Sequence, residues 1–228
     1  MSDNSPSGRR GAGRPPRVSR ATIAEAALRI GLDKATLVLI GRELGVDHSS
    51  LYRHVRSRDD LMTAAVDEAL AGISWRCNEG EDWRAYLTRV AEAVWDVYEA
   101  NPGVAETIRT LDAMPPSVIR AFVAICGELR TAGFSASDAV LAVDSVMDMT
   151  VDSAVGWRRL TAPTPDGPVV ADRMRHALES EFAAHADWAE FGSLMAGALT
   201  GSPRTWWHRK LDLILDGAAV SLARCGQG

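Results

Sequence analysis

The chain of 228 residues has three cysteines, no long apolar run and no apolar N-terminal segment, and each shortage removes a class of protein. Cys77, Cys126 and Cys225 are odd in number, far apart and form no C-x-x-C pair, so neither a disulfide framework nor a zinc ribbon is expected. The longest uncharged run, 191–203, is 13 residues with three Gly and a Pro, too short and too broken to span a bilayer. Residues 1–20 are polar and Arg-rich and lack the apolar stretch of a secretory signal, so a cytoplasmic protein with no membrane partner is expected. Phosphate-cradling Gly loops, H-E-x-x-H helices and G-x-S-x-G elbows are also missing, which argues against an enzyme and for no cofactor. His176, His185 and His208 form no i, i+4 pair, and no metal site is expected.

What is present describes a globular protein with two unlike parts. Hydrophobic residues make up 46% and charged residues 24%, and the length suits one large or two small domains. Residues 1–58 hold 11 Arg and Lys against 5 Asp and Glu, whereas 59–228 hold 14 against 25. A basic quarter on an acidic body fits a DNA-contacting head joined to a domain with another task, because phosphate neutralisation supplies most non-specific affinity. A basic tail on an unrelated soluble protein is the alternative reading of the charge.

Apolar residues recur at helical spacing from about Ser19 onward and never alternate at period two for long, so the body is expected to be all-α. Residues 1–18 read as a flexible basic arm that clings to phosphates or reaches a minor groove. A first helix runs from Ser19 or Thr22 to Gly31, with Ile23, Ala27 and Ile30 inward. Thr36 caps a second helix that ends at Gly45, and Asp47 caps a third that buries Leu51 and Val55. Ser57 opens a fourth through Leu61, Ala65, Ala69 and Ile73. Asp82 caps a long helix carrying Trp83, Leu87, Val90, Val94 and Val97, and Asn101-Pro102 starts another with Pro in its first turn. Val118, Phe122, Ile125 and Leu129 form a stripe ended by Gly133, and Ser135 or Ser137 opens a helix with the seam Val140, Val143, Met147, Val151 and Ala154. Thr161 to Val170 is a surface loop, a helix follows around 171–190, and Pro203 starts the last, with Leu211, Ile214, Leu215, Ala218 and Leu222 on one face.

Two short helices joined through Gly45-Val46-Asp47 have helix-turn-helix proportions, and the second carries the chemistry that DNA needs. His48, Ser49, Ser50, Tyr52, Arg53 and His54 can meet base edges or phosphates while Leu51 and Val55 hold the helix down. The run from Ala35 to Leu61, with its Leu-Gly-Val turn, Ser-Leu-Tyr-Arg-His-Val helix and Ser-Arg-Asp-Asp-Leu opening, resembles the helix-turn-helix of the TetR family of transcriptional regulators. The likeness is strongest over 19–70, and Asp82-Trp83, Gly133-Phe-Ser135 and 211–217 look most like the tetracycline-repressor branch. It implies that His48, Ser50 and Tyr52 touch DNA, that Arg53 and His54 support backbone contacts, and that Arg58 meets phosphate. Thr36 and Ser49 complete the expected DNA-binding set. Leu37, Val38 and Leu39 depart from the family's polar residues, and Gly41 replaces its usual Ala, keeping the side chain small where helices approach.

The resemblance also implies a dimer whose last long helices form an intersubunit bundle, around a larger domain that encloses a small-molecule pocket. The division expected is 19–62 for the helix-turn-helix domain and 63–228 for ligand binding and dimerisation, with helices 135–159 and 203–224 broad enough to bury partner surface. Trp95, Tyr98, Met114, Phe122, Met147, Asp148 and Trp157 are the candidate ligand residues, and most of the aromatic and sulfur side chains of this region are expected to serve the core instead. Asp144, Asp148 and Asp152 line one helix face at i, i+4 and i+8, where they attract a cationic ligand or form a solvated or interface-rim stripe. The stretches 71–74 and 103–107, which match the branch's metal–tetracycline histidines, contain no His, so tetracycline is not the expected ligand. The expected function is a repressor that binds a pseudo-palindromic double-stranded operator as a homodimer and is released by an inducer of unknown identity. A regulator that activates, or that acts through a protein partner, is the alternative.

Overall fold

The computed structural model describes residues 18–165, 167–183 and 185–225; the expected arm over 1–18 lies outside these, save Val18. Every named element among the described residues is helical: α1 (Arg20–Ile30), α2 (Leu37–Leu44), a 3-10 turn (His48–Arg53), α3 (Arg58–Leu70), α4 (Trp83–Ala100), α5 (Val104–Thr110), α6 (Pro116–Thr131), α7 (Ala136–Thr161), α8 (Val170–Ala183), a 3-10 turn (Ala186–Trp188), α9 (Ala189–Thr200) and α10 (Pro203–Cys225).

Local chemistry starts the helices. The Ser19 hydroxyl accepts from the Thr22 N–H while the Thr22 hydroxyl accepts from the Ser19 N–H, closing a capping box on α1. Thr36, Ser57, Asp82 and Ser135 cap α2, α3, α4 and α7 in the same way, each oxygen accepting a backbone N–H that the helix leaves without a partner. Gly41 is buried where α2 meets the next segment, and a Cβ there would stand 2.9 Å from the Val46 carbonyl oxygen, so no side chain fits without displacement.

Five expectations need correction. The third helix is a 3-10 turn, because Asp47 and Ser50 bond back to the backbone and compete with α-helical hydrogen bonding over so short a run. α3 ends at Leu70, leaving Ile73 beyond it, since Gly72 follows and the last turn carries no basic residue to complement its free carbonyls. α5 starts after Gly103 rather than at Pro102, because the Pro102 carbonyl is turned to accept the Leu32 N–H at 3.0 Å. Val140 is 48% exposed, so the seam of α7 runs instead through Ala139, Val143, Val146 and Thr150. Residues 171–190 do not form one helix: α8 stops at Ala183, and α9 folds back so that Gly192 sits against the Phe182 ring.

Two apolar cores organise the chain. The first joins Ile23, Ala27, Ile40, Leu51, Val55, Leu61 and Ala65 and extends to Val104 of α5. The second joins α4, α6, α7 and α10 through Tyr86, Leu87, Val90, Trp95, Ile125, Leu129, Phe134, Val143, Val146, Trp207, Leu211 and Leu215. At its centre Trp95 stacks on Trp207 with ring centroids 4.8 Å apart, and the Trp207 indole N–H donates to the Thr150 hydroxyl at 3.1 Å. Thr150 in turn donates to the Val146 carbonyl at 2.7 Å, so this buried polar chain is closed within the protein.

Candidate nucleic-acid interface and sensing cavity

The 3-10 turn presents polar side chains because its apolar ones are locked inward. Leu51 and Val55 are fully buried, whereas Tyr52 is 56% exposed and His48, Ser49, Arg53 and His54 are also exposed. Ser50 is half-buried and donates to the Asp47 carbonyl at 2.6 Å. The Asp47 carboxylate accepts the Ser49 N–H at 2.8 Å, and these bonds from Ser49 hold its pKa below the ordinary carboxylate value. Arg58 is exposed and donates to the Ala35 carbonyl at 3.4 Å, which places it beside the N-terminus of α2 and the exposed Thr36. Thr36 itself spends its hydroxyl oxygen on the Leu39 N–H at 3.2 Å. Val38 and Leu39, at the positions that depart from the family's polar pattern, are exposed at 46% and 38%.

Sequence reasoning missed the clamp that holds this surface. Arg20 of α1 pairs with Asp60 of α3 at 2.6 Å and donates to the His54 carbonyl at 3.4 Å, fastening the end of the turn from two sides. The Arg20 guanidinium, and then the Arg56 N–H, hold the Asp60 carboxyl below its ordinary value. Nothing in local spacing links positions 20 and 60, so the pair has no sequence signal.

A cavity of about 270 Å³ lies among α3 to α7. Tyr98, Met114, Phe122, Met147 and Asp148 of the candidate ligand residues line it together. Trp95 and Trp157 do not; with Tyr98 they line a separate cleft of about 740 Å³ between the α1–α2 turn and the ends of α4 and α7. Trp95 is only 2% exposed and mainly supports the core through its stack on Trp207. Burial pushes the Tyr98 hydroxyl well above its ordinary value, so it stays neutral at any physiological pH. Leu70, Trp75, Val118, Ile125 and Val151 also line the cavity but are outside the candidate ligand set, and Asp144 lines it with Asp148, both of them exposed. Asp144 was visible in the acidic stripe one turn before Asp148; Trp75 sits between helices, where periodicity is silent.

The head and the cavity share elements. Leu70 at the end of α3 lines the cavity, and the same helix packs along α1. Arg158 of α7 pairs with Asp33 of the α1–α2 turn at 2.7 Å and with Glu106 of α5 at 3.5 Å, while Arg109 of α5 pairs with Asp152. No group of three or more potential metal-ligating side chains occurs among the described residues. No described helix is long and apolar enough to cross a membrane.

This arrangement is found in known structures. A possible TetR-family transcriptional regulator of Streptomyces coelicolor superposes with a TM-score of 0.73 at 26% identity, over 89% of this chain and 99% of that one. The chain has the fold of the TetR-family transcriptional regulators. A second TetR-family protein of Streptomyces coelicolor, ActR in complex with actinorhodin, superposes with a TM-score of 0.72 at 20% identity, over 89% of this chain and 95% of that one. An HTH-type transcriptional repressor of Mycobacterium tuberculosis is 31% identical over 121 residues, which are 50% of this chain and 46% of that one. The chain therefore spans about half the length of that curated relative. The class D tetracycline repressor of Escherichia coli is 23% identical over 185 residues, 72% of this chain and 79% of that one. No family model matches the chain. With this TetR-family fold, the 3-10 turn occupies the place of the second helix of the helix-turn-helix.

Proposed function

We propose that the chain is a ligand-responsive transcriptional repressor that binds a pseudo-palindromic double-stranded operator as a homodimer and is released by a small molecule. The observation that carries this reading is the polar row His48, Ser49, Tyr52, Arg53 and His54, held outward on the turn and its C-terminal flank by Leu51 and the following Val55, both fully buried. Such a row meets base edges and phosphates in a major groove, and Thr36, Ser50 and Arg58 flank it. Residues 19–62 form the DNA-binding unit and 63–228 the sensing and dimerisation unit. Exposed Leu213 and Val220 on α10 and Leu141 on α7 favour burial against a second copy. A dimer doubles the read sequence, which one short turn cannot make specific alone.

A ligand in the cavity beside Leu70 acts on α3, and α3 carries the turn through Asp60 and Arg20. It releases DNA to the extent that it binds the head spacing of the free state more tightly than that of the operator-bound state. ActR in complex with actinorhodin supports small-molecule response in a similar fold. The test is selection of duplexes from a random pool by the purified protein, followed by sedimentation and anisotropy over a salt series. Enrichment of a two-fold related motif, a dimeric mass and a steep salt slope are expected. A pool without any enriched motif overturns the assignment of the turn as a base reader.

A further inference from the structure

The cleft of about 740 Å³ at the junction of head and body carries donors that the protein itself leaves unmatched. Gly31, Asp33 and Lys34 of the α1–α2 turn border it on one side, and the end of α4, the start of α5 and the end of α7 on the other, so an occupant touches both parts. Trp95 borders the cleft and is 2% exposed, and its indole N–H is buried with no acceptor among the described residues. Arg158 borders it too. Its Nη2 pairs with Asp33 and its Nε with Glu106, but its buried Nη1 also has no acceptor among the described residues. Native proteins rarely leave such donors unpaired, because a buried N–H without an acceptor loses its bond to water and gains none. Trp95, Tyr98 and Trp157 give the same walls three aromatic side chains.

From this juxtaposition we propose that the cleft is a second ligand site, distinct from the cavity beside Asp148, and that it takes a neutral planar molecule bearing a carbonyl acceptor. The carbonyl receives the Trp95 indole N–H and the Arg158 Nη1–H, and the rings lie among Trp95, Tyr98 and Trp157. The site stands independently of the reading of the other cavity as the sensing site. Charge disfavours the ionic alternatives, since Arg29, Lys34 and Arg158 stand against Asp33, Glu99 and Glu106 in the lining. A cation finds no free carboxylate there, because Arg158 holds Asp33 and Glu106 and Arg204 holds Glu99. An anion at Nη1 meets the Asp33 and Glu106 carboxylates on the same guanidinium, and Lys34 is exposed, where water screens its charge. An apolar molecule without an acceptor leaves both donors unpaired. The volume suits a ligand of roughly three fused rings.

The experiment titrates the full chain, carrying isotope-labelled tryptophan, with fluorenone and with fluorene, which has the same rings and no acceptor. Calorimetry reads the affinities and magnetic resonance reads the indole N–H protons, in the natural sequence and in Trp95→Phe and Arg158→Lys. Fluorenone is expected to bind at least about tenfold more tightly than fluorene and to move the Trp95 indole proton downfield, which fluorene does not. The ratio is expected to fall in each variant. Should Trp95→Phe fail to fold, Arg158→Lys and the Trp95 proton of the natural sequence, assigned through its contacts with Trp207, carry the test. Equal or tighter binding of fluorene overturns the acceptor selection. A preference for fluorenone that leaves the Trp95 proton unmoved, or that survives both substitutions, overturns the site, because the carbonyl is then read elsewhere. Failure of both probes to bind leaves water as the partner of the two donors and overturns the site as well.

Discussion

Tyr52 shows how closely an exposed residue and an anchoring residue can sit. Its neighbour Leu51 is fully buried, while Tyr52 itself is 56% exposed and holds nothing in place. If the turn reads DNA as proposed, Tyr52→Ala is expected to weaken binding to the selected duplex by roughly tenfold or more and to leave the melting temperature and the solution mass unchanged, as read by anisotropy, calorimetry and sedimentation. A second residue-scale prediction concerns acid. The Arg89 guanidinium, followed by the Asn78 N–H, lowers the Glu81 carboxyl from an ordinary value of 4.5 to about 2. A depressed carboxyl stabilises the fold above its unfolded pKa and loses that contribution as the pH falls through the folded value. Glu81→Gln should melt below the natural protein at pH 6, and the gap should close between about pH 4.5 and 2 in melting curves taken across that range. The caps Ser19, Thr36, Asp47, Ser57, Asp82 and Ser135 were legible because a cap acts within three residues. The Arg20–Asp60 clamp was not, because its partners are joined only by the fold.

At the scale of elements, helices with strong apolar stripes were readable and those shaped by competition were not. α4, α7 and α10 start at or next to the positions their caps and prolines indicate. The 3-10 turn escaped because Asp47 and Ser50 divert backbone groups that an α-helix would use. α9 escaped because Gly192 and Gly197 lower helix propensity by about 1 kcal/mol each relative to Ala, and packing of Gly192 on Phe182 outweighs that for the element. The contact between α7 and α10 includes one buried polar pair, the Trp207 indole N–H meeting Thr150. Thr150→Val keeps the volume and removes the acceptor, leaving a buried donor without a partner, so a loss of about 1–3 kcal/mol in urea unfolding is expected.

At the scale of the whole molecule, the head meets the body at a turn with no room to spare. Gly103 has φ of +94°, and a Cβ there would stand 2.8 Å from the Asp33 backbone nitrogen. The adjacent Pro102 carbonyl accepts the Leu32 N–H across the same junction, and the Arg158 bridge to Asp33 lies beside it. Gly103→Ala should cost more than about 1 kcal/mol through backbone strain and crowding. Loosening of this junction is expected to appear as faster hydrogen exchange in 31–33 and 101–104 than elsewhere, and unchanged exchange there would mean that the junction does not hold the head.

The sequence by itself determined the helical class, the caps, the basic head on an acidic body and the helix-turn-helix motif, because each depends on residue type and on spacing within one or two turns. The tertiary structure decided which aromatic side chains face an open cavity and which fill the core: Trp95 and Phe122 are both aromatic residues of long helices, yet one stacks on Trp207 and the other lines the space beside Asp148. Periodicity tells which face of a helix turns inward, but what it meets there is set by helices far along the chain.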